Sequence, residues 1–162
     1  MTTAPTGFAV LDVDGVLADV RHRLPHLERR PKDWEAFFAA APADPPLAEG
    51  VELARRLSAA YRLVYLTGRP ARLRRPTADW LTHHGLPEGR LLMRAHRDFR
   101  PARVTKLEFL RTLLREAPVH LVVDDDPDVV DAVRRAGFDV LLADWVERRP
   151  ALHRAQEHDG RT

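Results

Sequence analysis

Asp12 and Asp14 stand two residues apart in the stretch Ala9-Val10-Leu11-Asp12-Val13-Asp14-Gly15-Val16-Leu17. In extended backbone such side chains share a face. Two carboxylates crowded there repel unless a cation or a shared proton lies between them. Taken alone, the stretch reads equally well as an acidic turn, because Asp-x-Asp-Gly is common turn chemistry. Three further groups bear on that choice: Thr67-Gly68-Arg69, Lys106 and Asp124-Asp125. Thr67 offers a hydroxyl, and the main-chain N–H groups around Gly68 can cradle an anion. Lys106 offers a compact point charge in a chain whose only other lysine is Lys32. The carboxylates Asp12, Asp14, Asp124 and Asp125 together call for a cation. With no cysteine in the chain and no paired histidines at ligand spacing, an oxygen-only set suits Mg²⁺. Mg²⁺, a lysine, a hydroxyl and backbone donors suit the charge of a transferring phosphoryl group. One carboxylate can then be the nucleophile, giving an aspartyl phosphate. Another can serve as general acid and then base.

These residues need a scaffold that brings them together. The apolar run 8–11, bounded by Gly7 and Gly15, reads as a fully buried strand. Apolar runs at 62–66, 90–93, 118–123 and 138–142 read as four more. Helical periodicity over 47–60, 71–84, 104–116 and 129–136 fills the intervals. Alternation of this kind means an α/β fold with a mostly parallel five-stranded sheet. In a parallel sheet all strand C-termini point one way, so Asp12/Asp14, Thr67/Gly68/Arg69 and Asp124/Asp125 converge on one crevice. Lys106, just inside the start of the helix at 104–116, reaches the same place. That convergence decides for a site over a turn.

A chain of 162 residues, 44% hydrophobic and 31% charged, is expected to form one domain with its own core. We expect that domain at 1–146, with a small flap at 21–46 and a polar, flexible segment at 147–162. Within the flap, 21–31 is basic, contains two prolines and reads as a loop over the mouth of the site. Asp33 caps a short helix at 34–40 with Trp34, Phe37 and Phe38 on one face. The net charge of +2 does not itself argue for nucleic acid. Residues 1–7 lack the basic and apolar regions of a signal peptide, and no apolar run reaches membrane-span length, so a cytoplasmic protein is expected.

Asp12-Val13-Asp14-Gly15-Val16-Leu17, Leu66-Thr67-Gly68-Arg69, Lys106 and Asp124-Asp125 resemble the four motifs of the haloacid dehalogenase superfamily of phosphatases, in the right order across nearly the whole chain. The resemblance implies a Rossmann-like three-layer sandwich. It implies Asp12 as nucleophile and Asp14 as general acid and base, with its main-chain carbonyl on Mg²⁺. Thr67 and Lys106 would hold the phosphoryl oxygens, and Asp125, with Asp124 beside it, would complete the metal site. Asp-Val-Asp-Gly-x-Leu-Ala, the Thr-Gly-Arg turn, and Arg94 and Arg100 ahead of Val104-x-Lys106 are further similar to the 3′-phosphatase domain of phage-type polynucleotide kinase-phosphatases. This implies a phosphorylated nucleotide or nucleic-acid 3′ end as substrate, with Gly68, Arg69, Arg94 and Arg100 binding it. The P-loop of that family's kinase half does not occur, which implies a stand-alone phosphatase module. With only the flap between the first two motifs, it implies an open, capless crevice. The alternatives are a phosphatase of nucleoside monophosphates or other small metabolites, a phosphotransferase using the same intermediate, and a nucleic-acid-binding module that no longer catalyses.

Overall fold

A computed structural model describes residues 5–162. Residues 1–4, where the expected domain and the stretch read for a signal peptide begin, lie outside the described residues. Five parallel strands, β1 (Phe8–Leu11), β2 (Arg62–Pro70), β3 (Gly89–Arg94), β4 (Val119–Asp124) and β5 (Val140–Leu142), form one sheet in the order β3-β2-β1-β4-β5. The central strand is the most apolar. Ala9 and Leu11 face one side, where they meet Val51 and Ala54 of α3 (Ala48–Ser58) and Trp80 and Leu81 of α4 (Arg74–His83). Phe8 and Val10 face the other, against Leu110 and Leu113 of a helix at Ala102–Glu116 and Val129 and Val133 of a helix at Pro127–Arg135. The period of two along β1 thus supplies both faces of a three-layer sandwich, the expected architecture.

The flap is more ordered than a loop. A one-turn helix α1 (Pro25–Glu28) precedes α2 (Trp34–Ala39), and Asp33 caps α2 by accepting from the Ala36 N–H at 2.9 Å. Val20, Leu24 and Leu27 are buried at helical spacing, among arginines that hide the pattern. They form a third apolar cluster with Phe37 and Phe38.

The largest departure from expectation is the segment 147–162, expected to be frayed. With the helices at Ala102–Glu116 and Pro127–Arg135 as α5 and α6, it forms α7 (Pro150–His153) and a π turn (Arg154–His158) that pack on the flap. Ala151, Leu152 and Ala155 are buried in the flap's cluster, and Gln156, Glu157 and Thr162 are buried beside them. Three apolar residues spaced i, i+1, i+4 suffice because they complete a cluster the flap has already begun. No helix among the described residues is long and apolar enough to cross a membrane.

Candidate active site

The ends of β1, β2 and β4 meet at one edge of the sheet, and the expected residues are brought together there. β1 delivers Asp12, whose main-chain N–H bonds the Val123 carbonyl of β4 at 2.9 Å. The chain then coils back tightly, with Leu17 and Ala18 N–H groups both on the Val13 carbonyl, which turns Asp14 toward β2. Gly15 has a positive φ of 80°, and a Cβ there would overlap the Asp125 carboxylate, so only glycine suits this position. In β2 the register with β3 slips between Thr67 and Pro70. The slip releases Gly68 and Arg69 from the ladder and directs them into the crevice.

Lys106 is 3% exposed and lies 2.9 Å from Asp12 Oδ2 and 2.6 Å from Asp124 Oδ2. Burial works against its charge, but the two carboxylates hold it protonated. Asp12, Asp124 and Asp125 each offer an oxygen within 4.8 Å of the others. Asp12 Oδ2 accepts no well-directed hydrogen bond despite the lysine beside it, and Asp125 Oδ1 has no partner at all. Burial, with Asp124, Asp125 and Asp14 nearby, pushes the Asp12 carboxyl well above the usual range; Lys106 only partly offsets this. Burial likewise pushes Asp125 up to about 7, against the pull of Arg148. Two orphaned buried oxygens in a set of hard ligands fit a small divalent cation. Asp124 is the more committed acid: its Oδ1 accepts from the Asp126 N–H at 3.0 Å and its Oδ2 from Lys106.

Asp14 is buried too, but its surroundings are opposite. Arg69 reaches its Oδ1 through Nε at 2.9 Å and a terminal nitrogen at 2.6 Å, and Arg23 donates to the same oxygen at 2.9 Å. Burial would raise its pKa, but Arg69 and Arg23 hold the carboxyl well below the usual range. Asp44, buried in its turn, ties the two guanidiniums together: Arg23 donates to both of its oxygens at 2.9 Å, and Arg69 to one at 2.9 Å. Arg23 also lies over the Phe37 ring at 4.3 Å. Asp14 Oδ2 is left for the Thr162 hydroxyl, which donates to it at 3.0 Å.

With this geometry in view, comparison with known families is decisive. The family model described as the polynucleotide kinase PNKP phosphatase domain matches residues 7–144. The chain belongs to that family. It is a haloacid dehalogenase-type phosphatase, a hydrolase of phosphoric monoesters. Two solved structures, titled as the Pnkp1/Rnl/Hen1 complex and the Pnkp1/Rnl/Hen1 RNA repair complex, contain chains similar to 86% of this one, at 23% and 24% identity and TM-scores of 0.69 and 0.71. This chain spans under half of each of those chains, 46% and 43%. The HAD-hydrolase YfnB from Bacillus subtilis, crystallised with magnesium, shares the fold at a TM-score of 0.61 and 10% identity, over 86% of this chain and 89% of its own. A comparison with curated proteins finds no match.

Against this family frame, the expected substrate-binding arginines have other partners. Arg69 is not on the rim but 1% exposed and bound to Asp14. Arg94 is buried, with Nε on the Gly68 carbonyl at 3.0 Å and a terminal nitrogen on the Arg100 carbonyl at 2.6 Å, so it braces the Thr67–Arg69 turn. Arg100 points outward to Asp98 and Glu108, at 2.7 and 2.6 Å. Nor is the crevice open, since Thr162 lies across it. Asp44, Arg148 and Thr162 are the site's neighbours that sequence reasoning did not assign, and Arg23, which the sequence places in the basic loop at the rim of the crevice, is instead buried on Asp14. One signal existed for Asp44: it is the sole charged residue between Glu35 and Glu49.

Proposed function

We propose that this phosphatase removes 3′-phosphates from nucleic acid, with Mg²⁺ as its cation and a phosphoaspartate on Asp12 as intermediate. The observation that carries the reading is the split in the crevice: a carboxylate with an unbonded oxygen at the acid-lined end, and a second carboxylate clamped by arginines opposite it. Asp12 and Asp125, with Asp124 and the main-chain carbonyl of Asp14, would hold the ion. When bound, Mg²⁺ would neutralise charge on the phosphoryl oxygens and lower the cost of ionising Asp12.

A carboxylate oxygen of Asp12 attacks phosphorus, and the bond to the leaving oxygen breaks. Lys106 and Thr67, with main-chain N–H groups at Gly68, hold the phosphoryl oxygens. Asp14 delivers a proton to the leaving oxygen from Oδ2, the oxygen its arginines leave free. In the second half-reaction it takes a proton from water, which attacks the phosphoaspartate and frees inorganic phosphate and Asp12. The arginine clamp favours the ionised Asp14 that this second step needs. A phosphate dianion arriving beside Asp14 favours the protonated form that the first step needs.

The nucleic-acid substrate is supported by the family description and by the RNA repair complex named for one structural relative. It is also supported by a cavity of about 280 Å³ beside the site, whose lining includes Arg72, Arg97 and Phe99, two cations and an exposed aromatic suited to phosphates and bases. The test is phosphate release, with and without Mg²⁺, from a 3′-phosphorylated oligonucleotide, nucleoside monophosphates and p-nitrophenyl phosphate. The expected result is fastest Mg²⁺-dependent turnover of the oligonucleotide, abolished in Asp12→Asn, with acid quenching trapping labelled phosphate on the wild-type chain. Preference for mononucleotides would make it a nucleotidase. Binding of the oligonucleotide with no release from any substrate would make it a non-catalytic module.

A further inference from the structure

The segment 147–162 reaches both halves of the site, at Asp125 and at Asp14. Arg148 donates to Asp125 Oδ2 at 3.0 Å and to the Gln156 side chain at 2.6 Å. Glu157 pairs with Arg103, and Asp159 with Lys32. Gly160 takes a positive φ of 58° against the Phe99 carbonyl, at a spacing that leaves no room for a Cβ. Arg161 lies over the rings of Trp34 and Phe99, at 5.2 and 4.8 Å. Thr162 then sets its main chain on Gly68, with an oxygen 3.5 Å from Arg94, and donates its hydroxyl to Asp14 Oδ2 at 3.0 Å.

That last contact has a chemical meaning. Hydrolysis of a phosphomonoester leaves an alcohol hydrogen-bonded to the acid that protonated it. Thr162 places an alcohol on that oxygen of Asp14. Its main chain covers the Gly68 turn, where phosphoryl oxygens are to be cradled. Arg161 covers the faces of Trp34 and Phe99, rings on which a base could otherwise stack.

We propose that residues 160–162 act as an internal product mimic, occupying the leaving-group subsite and competing with the phosphorylated end of a polynucleotide for it. The proposal rests on the phosphatase reading above, because it takes Asp14 as the residue facing the leaving group. Two of the contacts that lead into the seat, Asp159 with Lys32 and Glu157 with Arg103, engage partly exposed cations that a polyanion can take over. A site that is closed for most of the time lowers apparent affinity in proportion to the fraction open.

The test uses the 162-residue chain with Gly160→Val, which drives the segment from its seat without touching a catalytic group. For a 3′-phosphorylated oligonucleotide and for p-nitrophenyl phosphate we expect KM to fall about tenfold with kcat unchanged. A fall in kcat, a rise in KM, or no change would overturn the proposal, since each means that the segment builds the site or is irrelevant to it. Should Gly160→Val fail to fold, Thr162→Ala provides the same comparison, with a fall of roughly threefold. A readout independent of turnover is amide exchange across 150–162 on adding Mg²⁺ with inorganic phosphate, the product of any phosphomonoesterase. Faster exchange supports displacement, and unchanged or slower exchange refutes it. Because the inorganic phosphate and p-nitrophenyl phosphate arms do not depend on the nucleic-acid assignment, failure of that assignment is distinguishable from failure of this one.

Discussion

The two aspartates that open the motif lie in environments of opposite sign. Asp14 carries its counter-charges with it: two buried guanidiniums meet on one oxygen, and Asp44 locks both. Asp12 shares one buried ammonium with Asp124 and lies in the field of Asp125, whose Oδ1 has no partner. One half is electrostatically complete and the other is short of positive charge. The complete half is built to stay in place. The incomplete half is built to receive a cation and a phosphoryl group, and it is less stable without them.

The comparison is broken most sharply at Asp12. Asp12→Asn should lower kcat by roughly 10⁴-fold. The same substitution should leave the metal-free protein as stable or more stable, because it removes a buried charge that its surroundings oppose. Thermal unfolding in EDTA beside a phosphate-release assay checks both parts. In the complete half, Arg23→Met should behave in reverse. It strips Asp14 and Asp44 of a shared partner and should cost about 3–5 kcal/mol in urea unfolding. Arg23→Lys should not restore it, since an ammonium lacks the planar fork that donates to both Asp44 oxygens and to Asp14 at once.

The pH dependence sharpens the same contrast. The carboxyls of Asp12 and Asp125 are raised in the folded protein, Asp125 to about 7, so the native state binds more protons than the unfolded chain above about pH 4. Stability of the metal-free protein should therefore decline as pH rises from about 4 to 7, and Mg²⁺ should flatten that decline. Asp14 has the opposite sign: its contribution is present above the ordinary carboxylate pKa and is lost only as pH falls below it. Urea midpoints across pH, with and without Mg²⁺, separate the two. The smallest effect belongs to Arg100. Its exposed pairs with Asp98 and Glu108 should make Arg100→Ala indistinguishable from wild type in unfolding midpoint and in KM for the oligonucleotide.

The sheet and the acid-lined half of the site were legible in the sequence for one reason. Three of the apolar runs end in polar groups, and parallel topology forces those ends together. Phe8–Leu11 followed by Asp12, and Val119–Asp124 followed by Asp125, need no knowledge of distant contacts. The arginine clamp depends on such contacts. Arg23 and Asp44 are 21 residues apart, and Arg69 and Asp14 are 55 apart. An arginine buried by pairing looks in sequence like one of the many on the surface. The segment 147–162 escaped for a related reason. Its three apolar residues, Ala151, Leu152 and Ala155, are too few to specify a helix alone, and they gain meaning only against Leu24, Leu27, Phe37 and Phe38.

That third cluster shares no residue with the two that sandwich the sheet. The apolar packing at the mouth of the site is therefore separate from that of the platform beneath it. Apolar substitutions at Leu24, Leu27, Phe38 or Leu152 can resize the mouth without repacking either face of the sheet. The charged members of the flap are the exception: Arg23 and Asp44 carry any change directly to Asp14.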